Sequence, residues 1–149
     1  MGGLLDTSVL VRLANTADAM HDVATRSVLV WHQRGEVLYI TPQNLIEFRA
    51  VATRPLAMNG LGLTPAEAEA EAEEFEATFP LLAETPDIFP AWKAVVAASG
   101  VIGKQVHDAR LVAVCHVHGV THVLTFNVAH FARLASAGPG IIVVDPASV

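Results

Sequence analysis

The sequence predicts an α/β fold, a mostly parallel sheet with helices on both faces, built as one domain over residues 1–149. Three observations predict it. Short runs of apolar and β-favouring residues recur along the chain, and capped helical segments separate them, the alternation that yields parallel βαβ units. The composition is 52% hydrophobic and only 16% charged, yet no uncharged apolar run approaches the roughly 18 residues of a membrane span, so the apolar residues belong to a buried core. At 149 residues the chain is long enough to bury one.

Leu4-Leu5 is the first strand, ended by Asp6 and the hydroxyl pair Thr7-Ser8, with Asp6 or Thr7 as cap of a short helix over 9–14. A second helix covers 19–33, with Gly35 as its C-cap. Val37-Leu38-Tyr39-Ile40 is a buried strand. Thr41-Pro42 opens a helix through Asn44, Glu47 and Val51 that stops before Pro55, and 56–63 is a loop. Thr64-Pro65-Ala66-Glu67 is a capping box. Behind it lies a helix over 66–79 with six glutamates, a solvated face expected to point away from any phosphate.

Leu81-Leu82 is a third short strand, and Pro86-Asp87 starts a helix ended by Ser99-Gly100. Residues 101–105 form a loop. Val106-His107-Asp108-Ala109-Arg110 and the almost wholly apolar stretch Leu111 to Val117, closed by Gly119, form a buried helix with Asp108 in its first turn. Residues 122–126 are a strand ended by Asn127, 128–134 a short helix, and 141–144 the last strand. In such sheets ligands bind beyond the carboxyl ends of the strands, where Asp6 and Asn127 stand.

Charge and cysteine usage narrow the function classes. Fifteen acids against nine bases give a net charge of −6, which argues against non-specific nucleic-acid binding through a broad basic face. It leaves room for a nucleic-acid enzyme whose metal ions supply local positive charge, and for a basic partner. The single cysteine, Cys115, excludes an intramolecular disulfide and fits a cytoplasmic protein. Met1-Gly2 lacks the Ser or Thr at position 6 that a myristoylation signal needs, and no base precedes the first apolar run as in a secretory signal.

Three carboxylates interrupt apolar sequence: Asp6, Glu47 and Asp108. Singly, each has a structural explanation, Asp6 and Asp108 at helix N-termini and Glu47 paired with Arg49, Arg54 or solvent. Together, with Asn127 at a strand end, they read as hard oxygen ligands for Mg²⁺ or Mn²⁺. The seven histidines do not make a zinc site: His116 and His118 lie on different helix faces, and Gly119 separates them from His122. His107 and His130 flank Asp108 and Asn127.

Leu4-Leu5-Asp6-Thr7-Ser8, Asn44-Leu45-Ile46-Glu47-Phe48, His107-Asp108-Ala109-Arg110-Leu111 and the segment from Leu124 to Phe131 resemble the four signature segments of PIN-domain nucleases. Their order and the chain length are similar to the VapC-type ribonuclease toxins of type II toxin–antitoxin pairs. The resemblance implies a three-layer α/β/α sandwich with a five-strand parallel sheet. It implies metal binding by Asp6 and Asp108, an acidic pocket completed by Glu47, and Asn127 at a fourth position that is often Asp, a departure that weakens a second metal site. The implied chemistry is hydrolysis of an RNA phosphodiester, the metal activating water and Glu47 orienting it or taking its proton. Thr7 and Ser8, Lys104 and Arg110, together with Arg12 and Arg49, are the candidate substrate contacts. The implied partners are a cognate antitoxin that blocks the pocket, an RNA substrate and a second copy in a homodimer, with no membrane. Other PIN-domain nucleases that process RNA or cut structured DNA, and a catalytically inert scaffold, are the alternatives. A haloacid-dehalogenase-type phosphatase needs a second Asp where this chain has Ser8.

Overall fold

A computed structural model describes residues 2–149. Four strands, β1 (Gly3–Leu5), β2 (Leu38–Tyr39), β3 (His122–Leu124) and β4 (Ile142–Val144), form one parallel sheet in the order β2-β1-β3-β4. Leu4 aligns with Tyr39 and Val123, and Leu124 with Val144. Among the described residues seven α-helices surround it: α1 (Thr7–Ala14), α2 (His21–Gln33), α3 (Pro42–Ala52), α4 (Pro65–Thr78), α5 (Ile88–Ser99), α6 (Gln105–His118) and α7 (Val128–Ala135).

Because side chains alternate along a strand, neighbouring residues feed opposite layers. Leu5 and Leu124 point into a core with Val9, Leu10, Phe48, Ala72 and Phe75, covered by α1 to α4. Leu4 and Val123 point into a second core with Ile88, Leu111, Val114 and Phe131, covered by α5 to α7. The expected three layers are present.

The sheet has four strands where five were expected. Leu81 contributes only an isolated bridge to Ile40. Ile40 donates its N–H to the Pro80 carbonyl at 3.0 Å and accepts from Leu82 at 2.8 Å, and pairing goes no further. Pro80 has no N–H to extend the ladder, so the fifth strand shrinks to one contact.

Thr41 and Thr64 both form complete capping boxes, with Asn44 and Glu67 respectively. Gly100 and Gly119 close α5 and α6 in left-handed conformations with φ of 64° and 69°, which glycine adopts without steric cost. Three smaller boundaries differ from expectation. The loop over 56–63 contains a 3₁₀ turn (Leu56–Met58), α6 begins at Gln105, and the C-cap of α2 is Arg34, with Gly35 one residue beyond. Among the described residues no helix is long and apolar enough to cross a membrane.

Candidate active site

The sheet order dictates where the site lies. From β1 the chain moves outward to β2 on one side, and later to β3 and β4 on the other. The crevice at the carboxyl ends of β1 and β3 is therefore the switch point, where parallel sheets bind ligands. Asp6 follows β1, and Thr125, Phe126 and Asn127 follow β3. A cleft of about 730 Å³ opens there, lined by Asp6, Glu47, Asp108 and Asn127. The four residues nominated from separate stretches of sequence face one space.

Asp6 is buried, 4% exposed. It stands at the N-cap of α1, but its side chain caps nothing, which corrects the expectation that it would. Its Oδ2 instead accepts from the Ser8 hydroxyl at 2.7 Å and the Thr125 hydroxyl at 2.8 Å. Thr125 in turn accepts from the Asn127 N–H at 2.9 Å, and Ser8 from the Phe126 N–H at 3.2 Å. No hydrogen bond from the described residues reaches Oδ1. One carboxylate oxygen is tied down and the other is left for an external partner.

Glu47 is held by the same logic from the other wall. The Thr7 hydroxyl donates to its Oε1 at 2.8 Å, and Gln43, one turn earlier on α3, donates to its Oε2 at 3.3 Å. Asn44 donates to Thr7 at 3.2 Å, so the capping box of α3 orients Thr7 and, through it, Glu47. Gln43 also donates to the His107 carbonyl at 2.8 Å, joining α3 to the first turn of α6, which carries Asp108.

The Asp108 carboxyl is pushed up to about 6, first by burial, then by the charges of Asp6 and Glu47; His130 and His107 pull the other way. The His130 ring lies 4.0 Å from the Asp108 carboxylate. Asp6 and Glu47 are thus close enough to repel the charge of Asp108, and a cation between them would relieve it. The donors are carboxylate, hydroxyl and amide oxygens, a hard set. Among the described residues no three His, Cys, Asp or Glu side chains gather tightly enough to cage an ion. An ion held here would keep much of its water, which fits Mg²⁺ or Mn²⁺ rather than zinc.

The substrate contacts expected from sequence divide. Lys104 and Arg12 line the cleft. Arg12 is fixed there, its guanidinium carbon 4.7 Å from the Phe126 ring centre, with a 3.0 Å bond to the Ser8 carbonyl and Asp18 at 3.8 Å. Thr7 and Ser8 line it too, but their hydroxyl protons are given to Glu47 and Asp6, which makes them orienting groups. Arg110 is not brought into the cleft: it pairs with Glu84 at 2.6 Å and donates to Gln43 at 3.2 Å. Arg49 pairs with Glu69 at 2.5 Å, leaving Glu47 without the arginine partner that sequence allowed. None of the α4 glutamates lines the cleft, as expected of a solvated face.

Sequence reasoning missed Thr125, Gln43 and Asn44 as orienting groups. The signals were present, a Thr two residues before Asn127 at a strand end and a Gln four residues before Glu47 on one helix face. Thr125→Val removes one of the two donors to Asp6 and leaves the Asn127 N–H without its acceptor. Outer partners of this kind carry about 10–100-fold in metal affinity. A loss of that size is expected in a Mn²⁺ titration, with Thr125→Ser restoring most of it; unchanged affinity would refute the role.

A family model described as the PIN domain matches residues 3–137. No curated protein sequence matches the chain. Among solved structures, VapBC2 from Rickettsia felis bound to a DNA fragment from its promoter superposes with a TM-score of 0.71 at 13% identity, covering 97% of this chain and 98% of that one. The sarcin-ricin loop cleaving toxin VapC20 of Mycobacterium tuberculosis gives 0.63 at 22% identity, with 88% and 94% covered. A toxin–antitoxin complex from Klebsiella pneumoniae gives 0.67 at 19% identity, with 97% and 98% covered. At these identities the likeness is one of fold.

Proposed function

The chain belongs to the PIN domain family, and from that premise we propose that it is a divalent-metal-dependent endoribonuclease, the toxin of a toxin–antitoxin pair. The observation that carries the reading is the convergence of Asp6, Glu47 and Asp108, from three separate elements, on one cleft with Asn127. A metal-dependent hydrolase of phosphodiesters needs such a cluster, and a folding core does not, since ionised acids cost stability when brought together.

Asp6 and Asp108 would hold Mg²⁺ or Mn²⁺, which when bound would offset phosphate charge and make water a better nucleophile. Asp6 presents its Oδ1 because Ser8 and Thr125 occupy Oδ2. Glu47, steadied by Thr7 and Gln43, orients the attacking water and takes its proton. Asn127 contributes a neutral oxygen where a fourth acid would strengthen a second metal site. Arg12 and Lys104 hold the RNA phosphates that the acids alone would repel.

The antitoxin is proposed because solved structures of this fold include VapBC2 and the Klebsiella pneumoniae toxin–antitoxin complex. A basic antitoxin segment placing an Arg against the carboxylates would neutralise them and exclude substrate, in keeping with the net charge of −6. Cytoplasmic action and a homodimer complete the proposal, with exposed Ile46, Phe89 and Ile102 as apolar surface for association.

The test is cleavage of total RNA by the purified chain. Cleavage is expected with Mg²⁺ or Mn²⁺ and loss of cleavage with EDTA, restored by excess metal. Cleavage indifferent to EDTA would overturn the metal chemistry. No cleavage of any RNA, with tight antitoxin binding, would leave an inert scaffold.

A further inference from the structure

Arg54 and Asn59 line the same cleft, and neither takes part in the network around the acids. Glu47, Ala50, Val51 and Arg54 all face it. That is the i, i+3, i+4, i+7 spacing of one helix face, so the cleft runs along α3 and past its C-terminus. Arg54 follows the C-cap Thr53, two residues beyond the last residue of α3 and about two turns on from Glu47. The side chains between them, Ala50 and Val51, are small and uncharged.

The turn that presents Arg54 is pinned. Gly62 donates to the Arg54 carbonyl at 2.9 Å, Leu61 to Val51 at 3.1 Å and Leu63 to Ala52 at 2.9 Å, folding the connection back onto α3. Asn59 is left-handed, with φ of 60°. Gly60 packs so close that a Cβ there would lie 1.9 Å from the Arg54 carbonyl oxygen, which no other residue allows. The neighbouring arginines have carboxylate partners, Arg12 with Asp18, Arg49 with Glu69 and Arg110 with Glu84. Among the described residues no carboxylate pairs with Arg54.

We propose that Arg54, with Asn59 from the same turn, forms a subsite for a phosphate flanking the scissile bond and so sets the register of single-stranded RNA along α3. The proposal rests on the ribonuclease reading. About two helical turns separate the backbones of Glu47 and Arg54, with only Ala50 and Val51 between them on this face, which leaves room for an adjoining nucleotide. A free guanidinium offers paired donors matched to phosphate oxygens, and an Asn amide adds a phosphate or sugar contact. Arg54 is therefore a positioning residue.

The test uses Glu47→Gln, which keeps Asp6 and Asp108 for Mg²⁺ but not the proton acceptor. Anisotropy follows its binding of a labelled single-stranded RNA of about 12 nucleotides across salt concentrations. Adding Arg54→Gln is expected to weaken binding and make the plot of log affinity against log salt shallower by about 0.7, the loss of one phosphate contact, with Arg54→Lys restoring the slope. Arg54 is exposed, so folding is not at stake. Equal affinity and equal slope with and without Arg54→Gln would overturn the subsite while wild-type cleavage stands. If wild type does not cleave and Glu47→Gln does not bind, the ribonuclease reading falls and takes the subsite with it.

Discussion

Replacing Asp6 by Asn is expected to cut metal-dependent RNA cleavage by roughly three orders of magnitude, the worth of about 4 kcal/mol of lost charge stabilisation. The substitution is nearly isosteric, and the amide oxygen can still accept from Ser8 and Thr125. Its NH₂ then occupies the place of Oδ1, where it repels a cation. Folding should barely change. Weaker hydrogen bonds to a neutral acceptor cost about 1 kcal/mol, and the removed repulsion on Asp108 returns a similar amount. The melting temperature of the metal-free protein should therefore stay within about 4 °C of wild type. Full activity in the variant would end the metal-ligand assignment for Asp6.

The same variant carries a pH signature whose sign follows from Asp108. Its folded carboxyl titrates at about 6, against an ordinary value of 3.8. The folded metal-free protein thus binds this proton more tightly than the unfolded chain does. Above pH 6 the ionised Asp108 costs stability, on the order of 2–3 kcal/mol. As pH falls through about 6 the cost is progressively relieved, and the relief is complete below about 4. Asp6 is the largest contributor after burial, so in Asp6→Asn the gain on acidification should shrink. Melting curves between pH 7 and 5 without metal measure it. A gain as large in the variant as in wild type would show that Asp6 does not press on Asp108.

Phe48→Ala is expected to destabilise the chain by about 4 kcal/mol, a drop in melting temperature on the order of 10 °C. Phe48 is fully buried and meets Phe75 edge to face, ring centres 5.0 Å apart at 88°. It lies next to Glu47 on α3, so the ring that anchors the helix to its core and the carboxylate that faces the cleft are adjacent in sequence. Truncation leaves a cavity between α3 and α4 that surrounding side chains fill only in part. Phe48→Leu should cost less than half as much. A melting shift of only a degree or two for Phe48→Ala would mean that α3 is held by something other than this contact.

Local chemistry made most of the fold legible. The capping boxes at Thr41 and Thr64 depend on residues three apart, and the left-handed closures at Gly100 and Gly119 on a single glycine, so sequence alone determined where those helices begin or end. The strand at Leu81-Leu82 failed because a strand exists only if a neighbour pairs with it. Pro80 limits that pairing to one bridge with Ile40, which no reading of the apolar run reveals. For the same reason the strands at 37–40 and 122–126 came out shorter than their apolar runs.

In the site, the sequence by itself nominated the four residues that face the cleft: Asp6, Glu47, Asp108 and Asn127 stand out because acids in apolar surroundings and polar strand ends are costly without a purpose. Tertiary structure alone decided what each is attached to. Whether Arg110 faces substrate or Glu84, whether Ser8 meets RNA or Asp6, and whether Thr125 is a strand residue or a clamp on Asp6 are set by contacts between residues separated by 26, 2 and 119 positions. Hydrogen bonds and ion pairs are decided over a few ångströms. Secondary structure constrains distance along one element, but only the packing of α1, α3 and α6 around the ends of β1 and β3 fixes distances between elements, and with them which oxygen of Asp6 is left free.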